Sequence, residues 1–238
     1  MENLNIISSI NDIRQQYKGY KDGGISFIEY LANKVLNTVD EDKNEVIKFF
    51  LDEIKSNENG FAEIALLTIV EMRAIELAPD IEKIYYEIAP FKEENWRHSI
   101  IEALMKLGYV EPKTLYREYV TSFLIKQPNN AFFLLVQYCN VDPKEALPLL
   151  SDFYVKNLCD NKEMQSFLES RIGFLVNYFL QNPIDYFPEL VKQTTARNSG
   201  VGTYLKKSLL DYLNSKMVEQ YSEKLINDRK NNLERMEA

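Results

Sequence analysis

The sequence is poor in the residues that do chemistry. It has one histidine, His98, and two cysteines, Cys139 and Cys159, in 238 residues. Catalytic triads and most zinc sites need a histidine with partners, so composition alone argues against both. The two cysteines make neither a disulfide framework nor a Cys-x-x-Cys metal site. Both lie in apolar helical stretches, where a buried reduced thiol is expected. No apolar run approaches the ~20 residues of a membrane span. The opening Met1-Glu2-Asn3-Leu4 lacks the basic and apolar regions of a secretion signal. Strand signals are missing too: no stretch alternates apolar and polar residues between tight Asn-Gly or Asp-Gly turns. The expectation is a cytoplasmic protein without membrane association, cofactor or metal.

What is present is the material of a globular helical chain. Apolar residues make up 45% and charged residues 27% of the sequence, which excludes a disordered composition. Aromatics are plentiful, with 15 Tyr, 13 Phe and one Trp. The net charge of −8 is uneven: residues 1–60 are net −4, residues 61–195 net −6, and residues 196–238 net +2. An acidic body repels phosphate backbones, which disfavours nucleic acid as a partner. It attracts a basic protein instead.

Helical periodicity runs through the chain. After Asp80, the residues Ile81, Ile84, Tyr85 and Ile88 recur at i, i+3, i+4 and i+7, with Glu82, Lys83, Tyr86 and Glu87 towards the other side. A second stripe runs through Leu36, Val39, Val46, Phe49, Phe50 and Ile54, interrupted by a polar turn at Asp40–Asn44. Prolines at 79, 112, 143 and 183 follow turn residues and suit the first turn of a helix. Gly60 and Gly108 suit left-handed helix stops. First helices are expected near Phe61, Trp96, Ala131 and Phe167, a period of 35 to 36 residues. Second helices are expected at about 80–89, 113–126, 144–158 and 184–195. The segments Pro143-Lys-Glu-Ala-Leu-Pro148-Leu-Leu150 and Pro183-Ile-Asp-Tyr-Phe-Pro188-Glu-Leu190 share the pattern P-x4-P-x-L. The inner proline removes one helical hydrogen bond, so each helix should kink there or begin there.

Paired helices at this period, joined by Asp-Pro or Asn-Pro turns, resemble HEAT-like or armadillo-type repeats over about residues 61–195. Tetratricopeptide repeats are the competing resemblance, carried by Asp142-Pro143-Lys-Glu-Ala146-Leu147. The HEAT-like resemblance implies an all-α fold: a short right-handed α-solenoid of antiparallel helix pairs. Residues 1–59 would form an N-terminal helical cap of about three helices, broken at Gly19–Gly24 and at the Asp40–Asn44 turn, and residues 60–195 about four pairs. Residues 203–226 would form a capping helix, and the polar stretch Asn227–Ala238 would fray. The whole chain, 1–238, would be one domain.

Few motifs compete with this reading. Ser199-Gly-Val-Gly202-Thr203, followed by Lys206-Lys207-Ser208, suggests an anion-binding loop. It has neither the spacing nor the preceding strand of a P-loop or dinucleotide fingerprint. It reads better as a flexible linker with Thr203 as N-cap. Trp96-Arg97 raises a second class, because HEAT-like folds include DNA alkylation-repair glycosylases. The charge of the repeat region has the wrong sign for gripping DNA, and Trp96 suits a core anchor. Adjacent acids such as Glu93-Glu94 and Glu41-Asp42 point about 100° apart on a helix and do not converge.

The second helices carry aromatic pairs: Tyr85 with Tyr86, Tyr116 with Tyr119, Phe153 with Tyr154, and Tyr186 with Phe187. One member of each is expected in the core and the other outside. In HEAT-like solenoids the second helices line the concave face. The resemblance therefore implies a groove of Tyr86, Tyr116, Tyr154 and Tyr186 with Glu82, Glu118, Asp152 and Glu189, suited to a basic protein. The leading reading is a non-enzymatic protein–protein interaction module, in its sharpest form an immunity or antitoxin-like inhibitor of a basic toxin. The alternatives are the glycosylase class and a self-associating scaffold subunit.

Overall fold

The structure is a computed structural model and describes residues 24–37, 40–56, 61–88, 94–127 and 131–236. Thirteen α-helices and no strand occur among the described residues. They are α1 (Gly24–Leu36), α2 (Asp40–Ser56), α3 (Phe61–Glu71), α4 (Ala78–Ile88), α5 (Glu94–Lys106), α6 (Lys113–Lys126) and α7 (Ala131–Val141). They continue as α8 (Pro143–Asp160), α9 (Lys162–Glu169), α10 (Ile172–Gln181), α11 (Phe187–Arg197), α12 (Ser199–Leu213) and α13 (Glu223–Glu234). Short 3-10 turns at Ile75–Leu77 and Lys216–Val218 precede α4 and α13. No described helix is long and apolar enough to cross a membrane.

The contacts divide the chain into Met1–Tyr119 and Val120–Ala238. In the first unit α3 packs on α1 and α2, α4 on α2, and α5 on α3 and α4. The rings of Phe49, Phe50 and Phe61 meet at 5.9–6.2 Å where α2 crosses α3. On α4 the periodic stripe behaves as its spacing demands: Ile81, Ile84, Tyr85 and Ile88 are buried, while Lys83, Tyr86 and Glu87 face water. In the second unit α8 packs on α7, α9 and α11, and α12 packs on α10, α11 and α13. Phe132, Tyr138, Tyr154, Phe179 and Phe187 fill that core. Cys139 lies within it, and burial pushes its thiol pKa up to about 12.

Two helix stops in the first unit use left-handed residues. Gly108 (φ 74°) follows α5, with its N–H bonded to the Met105 carbonyl (3.0 Å) and that of Tyr109 to Leu104 (3.1 Å). This pair of bonds is the Schellman motif. Arg73 (φ 54°) repeats it after α3, with Arg73 bonded to Val70 and Ala74 to Ile69. Gly60, the other predicted stop, lies outside the described residues.

Several expectations are corrected. The run Asp40–Asn44 is no turn: it is the first part of α2. The region expected to start a helix near Phe167 contains two, α9 and α10. The two inner prolines take the two available outcomes, Pro148 lying inside α8 and Pro188 in the first turn of α11. Asn198–Gly202 is not a linker. Asn198 caps α12, its side chain accepting from the Val201 N–H at 3.2 Å, so Thr203 lies inside the helix. The capping element over 203–226 is two helices, and α13 carries order through Glu234.

Candidate interaction surface

In the first unit, α4, α6 and the loop after Gly108 bring carboxylates and tyrosines together. Tyr86 stands on the outer face of α4 with 58% of its surface exposed. Its hydroxyl pKa is raised by partial burial and by the charges of Glu82 and Glu118. Tyr109 donates its hydroxyl to Glu82 Oε2 at 3.0 Å. Burial raises the Tyr109 pKa, and Glu82, through that bond and its charge, and Glu111 raise it further. Val110, between them, is also exposed. None of the ion pairs among the described residues involves Glu82, Glu111 or Glu118.

Of the eight predicted contact residues, four gather here: Glu82, Tyr86, Tyr116 and Glu118. Tyr116 is a correction, for it is fully buried (0% exposed) and donates its hydroxyl to the Tyr109 carbonyl at 2.6 Å. Tyr119, three residues along the same helix face, is buried with it, so this pair does not split between core and solvent. Tyr116 thus supports, from the core, the loop that carries Tyr109. The sequence reading missed Tyr109 and Glu111. Their signal is the glycine stop at Gly108, which sends the next residues out over the end of α5.

The other four predicted contacts, Asp152, Tyr154, Tyr186 and Glu189, lie in the second unit. Tyr154 is a second correction: it is buried, and its hydroxyl donates to the Arg171 carbonyl at 3.1 Å. Because α8 is packed by three helices, Phe153 and Tyr154 both find cover although they are neighbours. Asp152 and Glu189 are exposed, and Glu189 accepts a bond from Gln193. Tyr186, half-buried at the start of α11, packs its ring 5.3 Å from Phe179. Asp152 and Tyr154 lie two residues apart on α8 and so point to different sides.

Raised tyrosine pKa values leave the Tyr86 and Tyr109 hydroxyls neutral near pH 7, where they act as hydrogen-bond donors and acceptors and not as bases. The carboxylates supply charge. This chemistry suits a guanidinium or ammonium group. Among the described residues no three His, Cys, Asp or Glu side chains converge to hold a metal ion. His98 packs its ring 4.6 Å from Tyr119 on α6. Trp96 is buried in α5, as a core anchor should be. No family model, no curated protein and no solved structure matches the chain.

Proposed function

We propose that this chain is a non-enzymatic protein-binding module whose acidic, tyrosine-bearing surface on the first unit holds a basic protein. One observation carries the reading. Glu82, Glu111 and Glu118 cluster with Tyr86 and Tyr109, and no described lysine or arginine pairs with these carboxylates. Solvent-facing tyrosine beside unpaired carboxylate is the composition of a protein interface with electrostatic steering. Stacked helix pairs of the HEAT-like kind are the architecture we infer for it. Their support is the packing of helices upon those two places earlier in the chain, α3 on α1, α4 on α2 and α5 on α3. An immunity or antitoxin-like role against a basic toxin is the sharpest form of the proposal.

Capture from native lysate tests it, using the wild-type chain beside a Glu82→Lys/Glu118→Lys variant of unchanged circular dichroism. A basic protein should be retained by the wild type, released by rising salt, and retained at least ten-fold less by the variant. A partner held equally by both chains would overturn the reading.

A further inference from the structure

The second unit carries a surface of a different kind. Phe133 on α7 is 54% exposed and Phe174 on α10 is 49% exposed. The half-buried Phe167, at the end of α9, belongs to the same cluster, its ring 6.1 Å from that of Phe133. All three rings pack on the buried Phe132, at 5.2, 6.2 and 5.4 Å. Arg171 lies on this cluster, its guanidinium 3.9 Å from the Phe167 ring centre and 5.8 Å from that of Phe133. Its Nη1 donates to Ser170 Oγ (2.9 Å) and to the Phe167 carbonyl (3.4 Å). Arg171 takes part in none of the ion pairs of the described residues, in a chain with 36 acidic side chains.

Two Phe rings facing water in one cluster are costly to leave bare, and such patches mark contact surfaces. Aromatic residues and arginine are the side chains enriched at interface centres. The stacked guanidinium is desolvated on one face by Phe167, which strengthens its attraction for a carboxylate. We propose that this face docks an acidic segment of a partner protein, with an aliphatic or aromatic side chain on Phe133 and Phe174 and a carboxylate on Arg171. The charge complement sets the choice of occupant. A single-stranded nucleic acid also stacks on aromatic rings, but its backbone calls for several cations, and among the described residues Arg171 is the one that lies on these rings. Two-fold pairing with a second copy would set each patch against its own likeness, arginine included, and the light-scattering arm below tests it. The proposal is independent of the acidic surface on the first unit.

The test uses the full chain and three labelled probes: an octapeptide of alternating Asp and Leu, its Asn-for-Asp counterpart, and an oligothymidylate. Fluorescence anisotropy should show the acidic peptide binding about ten-fold more tightly than the neutral one. Arg171→Gln should erase that difference. Phe133→Ser should weaken both peptides alike, and its exposed position spares the core, which circular dichroism checks. Equal affinity for the two peptides, binding of neither, or preference for the oligothymidylate would overturn the proposal. So would a dimer in light scattering that Phe133→Ser dissolves.

Discussion

The two units differ in charge and in how they turn the chain. The first holds 14 basic and 22 acidic side chains and therefore the whole net charge of −8, while the second holds 14 of each. The first ends two of its helices with left-handed residues, Arg73 and Gly108. The second reuses asparagine: Asn161 closes α8 and opens α9, and Asn198 closes α11 and opens α12. The ion pairs described in the first unit, Glu87 with Lys55 at 2.6 Å and with Lys83 at 3.9 Å, are exposed. The second buries one: Arg229 reaches Asp185 at 3.4 Å and donates to the carbonyls of Asn182 and Pro183. A chain that keeps its charge outside can spend it on a partner. One that buries charge uses it to fix its own loops.

The largest expected effect follows from that buried pair. Arg229→Ala should cost about 3 kcal/mol in urea unfolding, because it removes the charge partner of Asp185, leaving that carboxylate only the bonds from the Phe187 N–H and Asn232, and takes the donor from two carbonyls. Lys55→Ala should leave the midpoint nearly unchanged. Similar losses at the two sites would break the contrast.

Next comes the close approach of α11 and α12. A Cβ on Gly202 would lie 2.6 Å from Thr195 Cα, a backbone atom that cannot step aside. Gly202→Ala should therefore cost about 3 kcal/mol. On Gly200 the nearest atom would be 3.6 Å away, so Gly200→Ala should stabilise by about 0.5–1 kcal/mol through helix propensity. Thermal melts of the pair decide it, and a neutral Gly202→Ala would deny the contact.

The turn chemistry gives smaller effects. Asn198→Ala should cost about 1 kcal/mol through the lost cap. In the first unit Gly108→Ala should cost about 1 kcal/mol and Arg73→Gly should gain a similar amount, since both positions are left-handed. Equal signs for those two changes would refute the shared motif.

The smallest effect is on pH. Arg197 holds the Asp160 carboxyl below its ordinary pKa by a side-chain hydrogen bond. A carboxylate with a lowered folded pKa stabilises above the unfolded value and loses that contribution as pH falls through the folded one. The stability gap between wild type and Arg197→Ala should therefore narrow below about pH 4. An unchanged gap at acid pH would remove the link.

The helical class was legible because apolar spacing alone selects it, and α4 follows its stripe residue by residue. The fates of Tyr116 and Tyr154 were not. Each depends on how many neighbours cover its helix, which is a property of packing and not of the local sequence. The glycines at 200 and 202 look alike in the sequence, and only the nearness of Thr195 separates them. Half of the predicted contact set converges because α4 and α6 come together with the loop between α5 and α6. That juxtaposition, like the loop bearing Tyr109, had no signal beyond a glycine stop.

Cys139 offers a clock. Its thiol has a vanishing thiolate fraction at neutral pH while the second unit is closed. An alkylating reagent would thus mark it only in molecules whose α7–α8 packing has opened, and the labelling rate would time that opening directly.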